Sequence, residues 1–179
     1  HKENVDLIAA NIELSGMENT MVHVMSRERV LKGYVDKVKD NYDFVLIDCM
    51  PSLGMLTINA LTCADSVLIP VQVAYLPVKG LQELIKTVMS VKRRINHKLE
   101  IEGILLTMVD SRTNLAKEIS LLVYDTYASR IKVFDIEIPS SVRASETSYK
   151  GNSIYEHDPK GKVAFAYTAL TKVMSSEEK

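Results

Sequence analysis

Short apolar runs alternate with longer amphipathic segments along this chain. Runs such as Phe44–Val45–Leu46–Ile47 are typical of strands buried on both faces of a parallel sheet, whereas Leu81, Leu84, Ile85 and Val88 recur at helical spacing. The pattern predicts strands over residues 5–10, 43–48, 66–71, 101–108 and 133–138. It predicts helices over residues 53–63, 81–95, 114–128 and 162–174, and one or two helices within 18–39 with a break near Ser26.

Alternating strands and helices indicate an α/β fold. Such alternation favours right-handed crossovers, so we expect a mostly parallel sheet covered by helices on both faces. The 179 residues, 46% of them hydrophobic, suffice for one globular domain over residues 1–179. Because ligands of open α/β sheets bind beyond the carboxyl ends of the strands, side chains at that edge are the candidates for function.

Composition narrows the function only slightly. The 22 basic and 23 acidic residues give a formal net charge of -1, so contact with nucleic acid would have to come from a local patch. No apolar run has the length of a membrane span and no leader opens the chain, which favours a cytoplasmic protein. Cys49 and Cys63 lack metal-ligand spacing and are predicted to be buried, reduced thiols.

Several motifs resemble those of the ParA/Soj family of partition ATPases, which belongs to the deviant P-loop group. They are LIDCMPSLGMLTINAL, IPVQVAYLPVKGLQELIKTV, LTMVDSRTNLAKEI, IPSSVRASETSYKG and YEHDPKGKVAFAYTAL, in family order along nearly the whole chain. The resemblance implies the P-loop NTPase fold of ParA and MinD. No G-x-x-x-x-G-K-[ST] loop occurs, although such an ATPase needs one to hold phosphate.

We therefore expect an N-terminally incomplete domain, either the C-terminal portion of a longer protein or a natural variant that lost its phosphate-binding loop. The resemblance implies that the intact protein uses ATP and Mg²⁺. This chain alone is expected to bind neither tightly, so enzymatic activity is predicted for the parent protein only.

Asp48 follows an apolar run, and the matching family acid holds a water bound to Mg²⁺. A carboxylate at a strand end suits that role. The alternative is an acid that caps the following turn. By resemblance, Ser52 and Gly54 belong to a switch that senses the γ-phosphate, and Pro51 is placed with the nucleotide-binding residues. Met50 stands where the family usually has a first proline, and Pro51 can also simply open a helix.

Asp110 and Pro139 each follow an apolar strand. In related ATPases the loops after these strands surround adenine, so both residues are candidates for nucleotide binding. Acids and prolines are also common in turns, and a purely structural role is the alternative.

Arg112 and Arg143 match two arginines that form a basic, non-specific DNA-binding patch in the Soj branch. Guanidinium groups can bridge phosphate oxygens without reading sequence. Neither arginine lies on an obvious helix face in the sequence pattern. They could instead be solvated loop residues, or one could pair with Glu146. Ser140 replaces an arginine that is usual in the family motif.

The resemblance implies an ATP-bound homodimer that binds double-stranded DNA and associates with the nucleoid. Hydrolysis, stimulated by a centromere-binding ParB-like partner, would release the DNA. The first alternative is a non-catalytic interaction module that kept the fold but lost nucleotide binding. A second, the membrane-binding MinD-like branch, fits poorly because the sequence ends in SSEEK, whose acids anionic lipid would repel.

Overall fold

A three-stranded parallel sheet lies at the centre of one of two compact units in the computed structural model, which describes residues 4–50 and 54–177. One unit comprises residues 1–65 and 87–99, and the other comprises residues 66–86 and 100–179. The described strands are β1 (Ser66–Gln72), β2 (Glu100–Val109) and β3 (Ile138–Pro139), in the order β1-β2-β3. The described α-helices are α1 (Ile12–Thr20), α2 (Val30–Val38), α3 (Met55–Cys63), α4 (Tyr75–Arg94), α5 (Asn114–Tyr127), α6 (Val142–Lys150), α7 (Ile154–His157) and α8 (Lys162–Glu177).

Helices cover both faces of the sheet in the second unit, as predicted. Ile104 and Leu106 of β2 pack on one face with Val123 of α5 and Leu81 of α4. Leu105, between them in sequence, packs on the other face in a cluster that includes residues of α8. Because successive side chains of a strand point to opposite faces, β2 contributes to both hydrophobic clusters.

Pro70 lies within β1, where it removes one backbone donor from the strand. Among the described strands β1 pairs with β2 alone, so it is an edge strand, the position at which a sheet tolerates proline. Its burial alternates from Ile69 to Gln72, whereas residues 103–106 of the central strand β2 are buried without interruption.

Gly103 lies beside a register shift between β1 and β2 and has a φ of +151°. A Cβ at this position would lie 2.7 Å from the Lys132 carbonyl oxygen and 2.8 Å from Cε2 of Phe134. The same carbonyl accepts a hydrogen bond of 2.8 Å from the Ile104 amide. Glycine is therefore required both by the backbone conformation and by the close approach of residues 132–134.

Two side-chain amides, Asn59, which is buried, and Asn96, which is half-buried, organise the first unit. The Asn59 side chain, 2% exposed, donates to the carbonyls of Arg27 (2.8 Å) and Met55 (3.0 Å) and accepts from the Leu31 amide (3.1 Å). The Asn96 side chain donates to the carbonyls of Leu61 (3.0 Å) and Ala64 (2.8 Å) at the end of α3. The bonds to the Leu31 amide and to the Leu61 and Ala64 carbonyls satisfy backbone groups that helix ends leave without partners.

Most predicted elements are present. The predicted strands 66–71 and 101–108 are β1 and β2, and the predicted helices 114–128 and 162–174 are α5 and α8. Ser26 has a left-handed φ of +53° and separates α1 from α2, which confirms the predicted break. Helix α4 begins six residues earlier than predicted, and Pro77 is tolerated because the first turn of a helix does not use its backbone N–H groups.

Three strand predictions need correction. Residues 5–10 and 43–48 have no strand structure, and the Leu46 side chain is 90% exposed. A strand requires backbone hydrogen bonds to a neighbouring strand. Next to the second segment, the Tyr42 hydroxyl donates to the Asp6 side chain at 2.7 Å, which is a side-chain bond and not part of a strand ladder. The predicted strand 133–138 is reduced to an isolated bridge at Val133 and to β3, because the Phe134 carbonyl accepts from the Tyr124 hydroxyl.

Candidate functional site

Asp110 directly follows β2 and Pro139 is the last residue of β3, so both lie at the same edge of the sheet. Val109 of β2 pairs with Pro139 of β3, and the Ser140 amide donates to the Val109 carbonyl at 3.0 Å. This edge is the carboxyl edge at which ligands of α/β proteins bind. The structure therefore brings together two of the predicted site residues, although their proposed role toward a nucleotide stays a prediction.

Each of these strands leads into a helix with a side-chain cap. The Thr113 hydroxyl accepts from the Ala116 amide at 3.2 Å at the start of α5, and the Ser141 hydroxyl accepts from the Ala144 amide at 3.4 Å at the start of α6. Both helix N-termini thus follow the carboxyl edge of the sheet. Helix N-termini carry partial positive charge, which favours negatively charged ligands nearby.

Arg143 lies in the first turn of α6, which corrects the expectation that it lies on no helix face. Its side chain is exposed and forms no hydrogen bond or ion pair with the residues that the structure describes. Glu146, the suggested partner, makes its direct contacts with Nε2 of His157 at 2.9 Å and Nζ of Lys150 at 3.8 Å, and the charge of Arg143 acts on it only at longer range. The hydrogen bond from His157 lowers the pKa of Glu146. Arg143 is thus a cation available to a ligand.

Arg112 is held differently. Its Nε donates to Oδ1 of Asp110 and its Nη2 donates to Oδ2, both at 2.8 Å, and its backbone amide also donates to Oδ1 at 3.2 Å. These bonds lower the pKa of Asp110 to about 2, so the carboxylate is charged at neutral pH. The Arg112 side chain is nevertheless 87% exposed. Sequence reasoning assigned separate roles to the two residues and missed this ion pair. The sequence D-S-R, which places an acid two residues before an arginine, is the pattern that could have indicated it.

Asp48 lies in the other unit, in the segment between residues 42 and 50. Its side chain is exposed and makes no ion pair or hydrogen bond within the described parts of the chain. Gly54 precedes α3 in extended conformation, and its carbonyl accepts from the Ile58 amide at 3.2 Å. Pro51 and Ser52 lie outside the described residues. The predicted switch therefore stays a prediction.

Cys49 is exposed and Cys63 is half-buried, and both are free thiols. The expectation that both are buried is therefore wrong for Cys49, because residues 43–48 before it do not join the sheet. Residues 4–50 and 54–177 contain no group of three or more potential metal ligands among histidine, cysteine, aspartate and glutamate. No helix within these ranges is long and apolar enough to cross a membrane.

The parallel sheet, its helical layers and a family profile for an AAA domain, which matches residues 1–101, define a P-loop NTPase-like domain. The sporulation initiation inhibitor protein Soj of Bacillus subtilis is 46% identical over 174 residues, which cover 97% of this chain and 68% of that protein. The chromosome partitioning protein ParA of Caulobacter vibrioides is 36% identical over 98% of this chain and 66% of its own length. The chain belongs to the ParA/Soj family of P-loop ATPases.

Solved structures agree with this fold. Cobyrinic acid a,c-diamide synthase of Mycobacterium smegmatis, with bound ADP and magnesium, has a TM-score of 0.76 and 33% identity over 94% of this chain and 62% of that one. McdA of Cyanothece, in a complex with ATP, has a TM-score of 0.79 over 91% of this chain and 63% of that one, and at 18% identity it supports the fold alone. The chain spans between 53% and 68% of the length of eight curated relatives.

Proposed function

We propose that this chain is the switch and DNA-contact portion of a chromosome-partitioning ATPase. The observation that carries the proposal is the 46% identity to Soj over 97% of the chain, a stretch that contains every candidate site residue. In the proposed cycle, an ATP-bound homodimer binds double-stranded DNA on the nucleoid without sequence preference. A ParB-like centromere-binding partner then stimulates hydrolysis and releases the DNA.

Population shift explains how the nucleotide would control DNA binding. ATP bridging two subunits stabilises the state in which Arg112 and Arg143 of both subunits face DNA, and loss of the γ-phosphate removes that stabilisation. Asp48 would hold a water on Mg²⁺, while Asp110 and Pro139 would lie near the base. The bound ADP and magnesium of the cobyrinic acid a,c-diamide synthase structure support this cofactor assignment.

The arrangement of the basic residues supports the DNA assignment. Arg112 and Arg143 follow adjacent strands and lie beside the N-termini of α5 and α6. Cationic side chains and helix N-termini both favour phosphate oxygens, and such contacts bind the DNA backbone without reading bases.

Titration calorimetry with Mg²⁺ and ATP tests the proposal on this chain and on a version extended upstream through the expected phosphate-binding loop. We expect heat of binding from the extended version only, because the lysine and backbone amides of that loop supply the main phosphate contacts. Binding by the shorter chain would show that the phosphate site is built from other residues. Absence of binding by both would favour the non-catalytic interaction module.

Arg143→Ala in the extended version should weaken binding to DNA of any sequence by about an order of magnitude at 0.1 M salt. DNA affinity falls as salt rises, and each lost phosphate contact makes the slope of log K against log salt shallower by ~0.9. Fluorescence anisotropy with two unrelated duplexes, in the presence of ATP, measures both quantities.

Arg130→Ala is the matched control for this substitution. Arg130 is also exposed, but it follows the C-terminal end of α5, away from the carboxyl edge of the sheet. Its loss should change neither the affinity nor the slope. If Arg143→Ala and Arg130→Ala lose the same amount of DNA affinity, the effect is due to net charge. That result would contradict a localised DNA-binding surface.

A further inference from the structure

We infer that Asp110 opposes DNA binding by holding Arg112 in an intramolecular ion pair that a DNA phosphate must displace. The inference rests on the proposed function, because it concerns how one of the two arginines reaches DNA. It makes Asp110 a positioning residue, distinct from the role toward a nucleotide predicted for it.

The pair occupies the part of the guanidinium group that binds phosphate best. Nε and Nη2 form the planar fork that grips two oxygens at once, and both bind the Asp110 carboxylate at 2.8 Å. A phosphate offers the same two-oxygen geometry as a carboxylate. The two acceptors therefore compete for one fork.

The loop itself keeps the carboxylate in place. The Arg112 amide donates to Oδ1 of Asp110, while the Thr113 amide and hydroxyl both donate to the Asp110 carbonyl at 3.0 Å. Thr113 in turn caps α5. Asp110 is thus fixed by local contacts, whereas the exposed Arg112 side chain can leave it by a change of rotamer alone.

Arg143 provides the contrast. Its guanidinium group has no hydrogen-bonding partner within the described residues, so a phosphate can bind it without breaking an existing ion pair. We therefore expect Arg112 to contribute less to DNA affinity than Arg143, although both contact phosphate. Removing the charge of Asp110 should abolish this difference.

Asp110→Asn is the informative substitution. Asparagine keeps an Oδ1 that can accept from the Arg112 amide, so the turn before α5 is preserved while the ion pair is lost. We expect DNA affinity to rise about two- to fivefold, the range that corresponds to the strength of exposed ion pairs. Anisotropy of the extended version, at an ATP concentration that saturates each variant, measures the change.

A double-mutant cycle separates competition from simple charge repulsion. If Asp110 acts through Arg112, the gain from Asp110→Asn disappears in an Arg112→Ala background and persists in an Arg143→Ala background. Equal gains in both backgrounds would show general repulsion between Asp110 and DNA and would overturn the inference. An unchanged or lower affinity for Asp110→Asn would overturn it as well.

The same measurements distinguish failure of this inference from failure of the proposed function. Wild-type protein that binds DNA and loses affinity on Arg143→Ala, but shows no coupling between positions 110 and 112, refutes the inference alone. Absence of DNA binding by both the wild type and Asp110→Asn refutes the DNA assignment and the inference with it. Circular dichroism of each variant checks that the fold is retained.

Discussion

Asp48→Asn in the extended version should lower the rate of ATP hydrolysis by about 100-fold. In the proposed site the carboxylate holds a water on the magnesium ion that neutralises the developing phosphate charge. Asparagine has nearly the same shape but no charge, and losing one such electrostatic contact typically costs about two to three orders of magnitude in rate. Phosphate release under saturating ATP and Mg²⁺ measures the effect.

Asp43→Asn is the matched control for this prediction. Asp43 is an exposed acid of the same chain segment, five positions earlier, and carries no predicted role. Its replacement should leave hydrolysis within about twofold of the wild-type rate, as expected for a surface substitution without a special contact. If Asp48→Asn and Asp43→Asn hydrolyse ATP equally fast, Asp48 is a turn-capping acid and not part of the magnesium site.

Gly103→Ala should destabilise the sheet-containing unit by about 3 kcal/mol or more. The added Cβ would collide with the Lys132 carbonyl and with the Phe134 ring, and the φ of +151° is one that alanine rarely adopts. Such strain and overpacking each cost about 1–3 kcal/mol. Neither neighbour can move freely, because the Lys132 carbonyl already binds the Ile104 amide and Phe134 is buried.

Urea unfolding followed by circular dichroism measures this loss, with Gly80→Ala as the control. Gly80 lies within helix α4 of the same unit, and a Cβ there would meet no atom within 4 Å. Alanine at that position should raise stability by about 0.5–1 kcal/mol, because it favours the helix over the unfolded chain. If the urea midpoint of Gly103→Ala equals that of the wild type, glycine is not required at this position of β2.

The pattern of apolar and polar residues predicted those helices and strands that carry a continuous apolar face or that pack against elements nearby in the sequence. Helices α5 and α8, and strands β1 and β2, are of this kind. Helix α6 is polar, and its signals, the N-cap Ser141 and Gly151 with a φ of +67° after its last residue, are those of helix ends and not of hydrophobic periodicity. Residues 5–10 and 43–48 are apolar enough for strands, but strand formation depends on a neighbour that a local pattern cannot supply.

The candidate site was predictable in its residues but not in their pairing. The positions of Asp110 and Pro139 after apolar strands correctly placed them at one sheet edge. The sequence cannot decide whether Asp110 faces a nucleotide base or the guanidinium of Arg112, because side chains two residues apart in a loop meet only for certain backbone angles. That choice depends on the turn formed by residues 110–113.

The capped connections after β2 and β3 limit where this protein can accept insertions. Only residues 110–111 separate Arg112 from β2, and only residues 140–142 separate Arg143 from β3, so the spacing of the two arginines depends on strands that lie about 5 Å apart. A residue added to either segment would displace one basic side chain relative to the other. Residues added near 129–130, which are exposed at the opposite end of α5 and precede the segment 131–134 that packs on the sheet, would leave that spacing intact. That turn is therefore the better position for a fluorescent tag or a fused peptide.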